Sequence, residues 1–241
     1  MDAVLFDLDD TLFAHRAAVE AGLVAHLGGS DAIEDPEEVL DRWRELEERH
    51  YPRYLSGDVS FLEQRRVRAR EFALGSSATL STDADADAWF EAYLGRYREA
   101  WTLHDDALPC LDELRSRIPG VRIGIITNGE LDFQTTKLEA VRLSDRVDAV
   151  IASGDVGVAK PQAEIFRIAC RQLGVRFEAA AYVGDRLRTD AIGAAGAGLL
   201  GVWLDRRSEP ATAEDLAEAA SLGVVRVSSL DEVPEIIARP A

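Results

Sequence analysis

The chain has 241 residues, 47% of them hydrophobic, which is enough for one large domain or a domain carrying an insertion. Its net charge of −17 argues against nucleic acid polymers and anionic membranes as partners, because both recruit positive surface. No run reaches the ~18–20 apolar residues of a membrane span. The first residues lack the basic and apolar regions of a signal peptide. Cys110 and Cys170 stand in unrelated segments without metal-type spacing and read as buried thiols of a cytoplasmic protein. Lysine occurs only at positions 137 and 160; arginine fills every other such position.

In chain order, Ala3-Val4-Leu5-Phe6 is a short apolar run that ends in Asp7-Leu8-Asp9-Asp10-Thr11. Such a run reads as a buried strand. Carboxylates at its end fall where open α/β sheets place their ligands. Two acids two residues apart can divide the labour there, one as nucleophile and metal ligand, the other as proton donor.

From residue 14 to 106 strand-like runs vanish. Val39, Trp43, Leu46 and His50 follow a helical stripe, as do Phe90, Tyr93, Leu94, Tyr97 and Trp101. These aromatics read as packing between helices. Residues 65–70, with four arginines, read as a solvated helix face, and residues 75–87 as a surface loop entering a helix. Asp83, Asp85 and Asp87 have the spacing of a calcium loop, but that loop needs Gly at 88 and Glu at 94, where Ala88 and Leu94 stand. They read as an acidic helix start. His26, His50 and His104 are isolated and read as packing or surface residues.

Beyond residue 107 strands and helices alternate. Strand-like runs cover 121–126, 149–152, 180–183, 200–204 and 224–227; helical patterns cover 131–141, 163–173 and 190–197. This alternation predicts a parallel sheet with helices on both faces. Residues 196–201 spell GxGxxG, but the motif closes a helix instead of opening one, so it reads as helix termination and tight packing. Ser229-Leu230-Asp231-Glu232 fits a capping box before a last helix. The fold class is α/β: a Rossmann-like doubly wound parallel sheet from residues 1–13 and 107–241, with a helical insertion at 14–106.

Four features stand at successive strand ends: Asp7-Leu8-Asp9-Asp10-Thr11, Thr127-Asn128-Gly129, Ala159-Lys160-Pro161, and Gly184-Asp185 with Asp190 five residues on. Each alone is weak, and the ordered set is specific. With them the chain resembles the haloacid dehalogenase-like superfamily over nearly its whole length, and specifically its phosphatases. Residues 123–129 and 156–161 look most like its nucleoside-monophosphate and sugar-phosphate phosphatases, the former being the leading expectation.

The resemblance implies a phosphomonoester hydrolase working through an aspartyl-phosphate. Asp7 is then the nucleophile, which splits one hard displacement into two easier ones. Asp9 protonates the leaving oxygen and later deprotonates water. Mg²⁺ sits on Asp7, the carbonyl of Asp9 and Asp185, with Asp190 as an auxiliary group or simply an acid at a helix N-terminus. The Thr127 hydroxyl, the N–H groups of Asn128 and Gly129, and the Lys160 ammonium receive the phosphoryl oxygens.

Arg186 departs from the small polar residue common after the motif Asp; it either reaches a second anionic group or pairs with cap acids. More than a hundred residues separate Thr11 from Thr127, and 32 separate Thr127 from Lys160, so the insertion follows the first motif. This matches the family's helical cap, with hinges at 12–17 and 101–109. Specificity then lies with Phe13, His15, Arg16, Tyr51, Tyr54, Arg65 and Arg68, with His15 expected near the site. Asp9 argues against haloacid dehalogenation, and the lack of lysine in 14–106 against phosphonate cleavage through a Schiff base. A phosphosugar mutase and a catalytically silent phospholigand-binding protein remain as alternatives. The expected partner is a small phosphorylated metabolite, and the chain is expected to be a monomer or homodimer.

Overall fold

The computed structural model describes residues 1–74, 79–208 and 210–238. Contacts divide the chain into two compact units, Met1–Ala14 with Thr102–Ala241, and His15–Trp101.

The first unit is built on one six-stranded, all-parallel sheet. Its strands are β1 (Ala3–Phe6), β2 (Arg122–Thr127), β3 (Ala149–Ala152), β4 (Ala180–Gly184), β5 (Leu200–Leu204) and β6 (Val225–Val227), in the order β3-β2-β1-β4-β5-β6. The four residues of β1 are fully buried, as befits a central parallel strand covered on both faces. The chain winds outward from β1 through β2 to β3, then returns to β4 on the other side. The order therefore reverses at the β1/β4 boundary, where such sheets open a crevice beyond their carboxyl ends. Phe166 and Tyr182 meet edge to face on one side of the sheet, within a cluster that includes Leu5, Ile126 and Ile151.

Strand positions differ from the sequence pattern by single residues. Val121 lies in the preceding turn, its N–H on the carbonyl of Ile118, so Thr127 is the last residue of β2 and not the first after it. The helical pattern at 190–197 is a wider π turn, Leu187–Ile192, followed by one α turn, Gly193–Gly196. The capping box at Ser229 is present and opens a 3₁₀ turn before the helix Val233–Ala238.

Of the glycines of the GxGxxG stretch, Gly201 has a packing role. A Cβ on Gly201 would lie 2.2 Å from the carbonyl oxygen of Ala191, so β5 approaches the π turn as only glycine allows. Gly198 has a left-handed φ of 98°, while Gly196 faces open space. The two passages of chain flanking the helical insertion run side by side within this first unit. Ala14 donates to the Thr102 carbonyl, His104 to that of Leu12, and Phe13 bridges Leu103.

Among the described residues, the second unit has four α-helices, α1 (His15–His26), α2 (Pro36–Leu55), α3 (Phe61–Ala73) and α4 (Asp83–Glu99). Asp35, Ser60 and Thr82 cap the last three, the latter two with full capping boxes. Of the expected surface loop at 75–87, residues 75–78 lie outside the described residues, and the helix has begun by Asp83. The fully buried Trp43 is the centre of the unit, with Phe72, Trp89, Phe90 and Tyr93 at centroid distances of 4.9–5.9 Å.

Arg68 corrects the solvated-face expectation. It is buried, stacks 4.6 Å over Trp43 and pairs with Glu47 at 3.2 Å, its stem taking part in the aromatic core. Arg65 lies 4.0 Å over Phe61 and is also largely withdrawn from water, which pulls its pKa down to about 10.

Gly201→Ala is expected to destabilise by about 1–3 kcal/mol through overpacking. Gly196→Ala, in the same motif, should be neutral or stabilising by up to about 1 kcal/mol. Urea unfolding of the two variants measures the contrast.

Candidate active site

The carboxyl ends of β1, β2 and β4 bring the strand-end motifs together. Asp7 follows β1, and its N–H is held by the Val183 carbonyl at 2.8 Å. Asp185 follows β4, its carbonyl held by the Trp203 indole at 3.0 Å. Asp190 returns to the same place from the π turn. Its Oδ2 accepts from the Arg186 N–H at 3.0 Å, and a Cβ on Gly184 would lie 2.5 Å from the Asp190 side chain. Glycine at 184 is therefore the condition for Asp190 to reach inward. Each of Asp7, Asp185 and Asp190 offers an oxygen within 4.8 Å of the others.

Lys160 enters from the loop after β3. Asn128 holds it by the main chain, accepting from its N–H at 2.9 Å and donating to its carbonyl at 3.0 Å. Its Nζ then makes three contacts, to Asp7 Oδ1 at 2.5 Å, Asp190 Oδ1 at 2.7 Å and the Tyr182 hydroxyl at 2.7 Å. An ammonium has three hydrogens, and each finds an acceptor. Burial opposes the charge on Lys160, but Asp190 and Asp7 outweigh it and raise its pKa.

One ammonium does not neutralise three carboxylates. Burial, with the charges of Asp190 and Asp9 added, pushes Asp7 up to about 7 even against the attraction of Lys160. Asp185 is pushed well above the ordinary carboxylate range by burial, then by Asp7 and Asp190. A compact, oxygen-only, electron-rich set of this kind can hold a divalent metal ion, whose charge relieves the repulsion.

Beside this cluster lies a second one. Asp9 accepts from Lys137 Nζ with both oxygens, at 2.7 and 2.9 Å. Gln134 Nε2 reaches Asp9 Oδ2 at 3.3 Å and Thr127 Oγ1 at 2.5 Å. Both come from α6 (Leu131–Ala140), the α-helix that follows α5 (Ala107–Arg117). Neither was expected from the motifs. Lys137 had a usable signal, being one of two lysines in the chain.

One expectation is revised. The Gly129 N–H donates to Ser153 Oγ at 2.9 Å, so it is already engaged and not simply on offer to a phosphoryl oxygen. His15 and Arg16 belong to the helical unit, where His15 Nδ1 meets the Tyr97 hydroxyl at 2.9 Å and Arg16 pairs with Glu20 at 3.1 Å. Phe13 does lie in the core unit, with Lys137 Nζ 5.1 Å from its ring centroid. Arg186 contributes its main chain to Asp190 and its charge to Asp185, which it stabilises as the anion.

The haloacid dehalogenase-like hydrolase family model matches residues 1–198. The chain belongs to that family. It is 33% identical to the ribulose-1,5-bisphosphate 5-phosphatase of Halopiger xanaduensis, the match covering 97% of each protein. It is 35% identical to the glyceraldehyde 3-phosphate phosphatase of Methanopyrus kandleri, over 85% of this chain and 84% of that one. In fold it is similar to the hydrolase YfnB of Bacillus subtilis, with a TM-score of 0.77, 21% identity, and 98% and 97% of the two chains covered. Among the described residues, no helix is long and apolar enough to cross a membrane.

Metal ligands must shed protons to bind. With Asp7 raised to about 7 and Asp185 raised as well, divalent-cation affinity should climb as pH goes from 6 to 8, with protons released. Calorimetric titration of Mg²⁺ into metal-free protein, in buffers of different ionisation enthalpy, reads both effects.

Proposed function

We propose that this hydrolase is a Mg²⁺-dependent phosphomonoesterase acting on a small sugar phosphate or nucleoside monophosphate. The observation that carries the reading is the pairing of two carboxylate clusters with different electrostatics at one sheet edge. One is buried with Lys160 and short of positive charge; the other, Asp9, is paired with Lys137. The two phosphatase relatives support the same chemistry on sugar phosphates.

In this reading an oxygen of Asp7 attacks phosphorus and the bond to the leaving oxygen breaks. Asp9 supplies the proton that the leaving oxygen takes. Asp9 then removes a proton from water as that water attacks the phosphoryl group, and Asp7 departs as the carboxylate. Lys160 and the Thr127 hydroxyl receive the phosphoryl oxygens, and Asn128 sets the position of Lys160.

The cation is assigned to Asp7, Asp185 and the Asp9 carbonyl, with Asp190 behind them. When bound, it would offset the charge shared by carboxylates and phosphate. An all-oxygen site favours Mg²⁺ over softer metals. Recognition of the leaving group is assigned to the helical unit, which the chain inserts directly after the first motif. The relatives' named substrates support a small soluble substrate, and the two buried free thiols support a cytoplasmic setting.

The test is hydrolysis of p-nitrophenyl phosphate, followed by a panel of sugar phosphates and nucleoside monophosphates. EDTA should abolish turnover and Mg²⁺ restore it. Asp7→Asn should lower kcat by about 10³-fold or more, since it removes the nucleophile. Full activity in that variant would sink the proposal.

A further inference from the structure

Helix α6 carries two residues that the roles above leave unexplained. Lys137 is only 2% exposed, and Phe13 and Phe133 lie within 5.3 Å of its Nζ. It donates to both oxygens of Asp9. Gln134 precedes it by three residues, hence on the same helix face, and is equally buried.

Once Asp9 has given its proton to the leaving oxygen and stands as the base for water it is ionised, and an ionised carboxylate can only accept hydrogen bonds. Asp9 therefore dictates that the Gln134 amide turn its NH₂ group inward. That same group meets Thr127 Oγ1 at 2.5 Å, so the Thr127 oxygen must accept, and its own hydrogen is left for another acceptor. A two-pronged charged contact thus fixes one carboxylate and, through one amide, the direction of one hydroxyl. Among the described residues the buried Gln134 Oε1 has no hydrogen-bond partner, the cost of facing its amide this way.

We propose that Lys137, acting with Gln134, is the positioning residue for Asp9, and that it couples the acid–base carboxylate to the phosphate-facing hydroxyl of Thr127. The inference rests on the phosphatase reading and adds to it a residue outside the four strand-end motifs. Lys137 touches neither phosphorus nor the leaving oxygen in this scheme; it acts by holding Asp9 at the distance proton transfer needs.

A double-mutant cycle with two substrates tests it. Lys137→Met, Lys137→Arg, Asp9→Asn and the Asp9→Asn/Lys137→Met pair are assayed with β-glycerophosphate and p-nitrophenyl phosphate. An alkoxide leaving group needs its proton, whereas nitrophenolate needs it little. Lys137→Met should therefore lower kcat/KM, which reports the step that expels the leaving group, about tenfold or more on the alkyl ester and clearly less on the aryl ester. KM should change less than about threefold, and Lys137→Arg should recover part of the loss. In the Asp9→Asn background the Lys137→Met change should cost less than about twofold further, because the two act as one unit.

Equal losses in kcat/KM on both esters, or additive losses in the cycle, overturn the assignment while leaving the phosphatase reading intact. No turnover of either ester by the wild-type protein overturns both. If Lys137→Met does not fold by circular dichroism, Lys137→Gln replaces it in the same cycle.

Discussion

The gathering of three carboxylates, Asp7 and Asp190 buried and Asp185 half-buried, with a single ammonium is the constraint on which the rest of this molecule depends. Lys160 carries the only lysine charge in that cluster, and it is shared between Asp7 and Asp190. Leaving one partner of such a group unpaired in a low-dielectric interior would cost several kcal/mol. The surrounding structure is accordingly arranged to keep Lys160 in place. Asn128 grips its main chain from both sides, and Tyr182 supplies the third acceptor from within the sheet. Gly193 leaves room for Pro161, whose Cβ would sit 2.9 Å from an added methyl. The residual negative charge is what makes the place receptive to a cation and, with that cation, to a phosphate.

The same logic explains where this chain keeps lysine. Arginine is used wherever a basic group faces acids on the surface, as in the pairing of Arg66 with Asp83 and Asp87. At 160 a planar, five-donor guanidinium would not match the three acceptors, which converge on one point from three directions as an ammonium requires. Both lysines are buried and both serve site carboxylates. The two clusters are therefore separately compensated, which allows Asp7 and Asp9 to differ in behaviour although only Leu8 separates them.

Much of this was legible because the informative residues are local. A four-residue apolar run followed at once by acids identifies β1 and its end without any tertiary knowledge, and the same holds for Thr127 at the end of β2 and Asp185 after β4. What stayed hidden depends on how elements face one another. Lys137 lies 128 positions from Asp9 in sequence, and they meet only because β1 and β2 are paired and α6 follows β2. The engagement of the Gly129 N–H needed the position of Ser153, which follows β3 across the β2/β3 pair. Arg68 looked solvated because a run of arginines usually is; Trp43, on a different helix, turns it inward. Local chemistry was readable, whereas side-chain pairing across elements was not.

The turn that carries Asp9 shows how far its anchoring extends. Asp10 adopts a left-handed φ of 63°, a conformation that costs most residues energy and that Asp tolerates better than most. The turn is closed by the Asp10 N–H on the Phe13 carbonyl at 2.7 Å. From the far side, Arg207 pairs with Asp10 at 3.3 Å, and Arg206 donates to the Thr11 carbonyl at 3.0 Å while gripping Asp106 with two nitrogens. Asp106 in turn accepts from Ser229 and from the Leu230 N–H. These arginines follow β5 and lie beyond residue 198, where the family match ends. The backbone of the acid–base turn is thus held by the C-terminal part of the sheet, and its side chain by α6. Motif residues supply the reactive groups, but their positions are determined by contacts from segments that carry no motif.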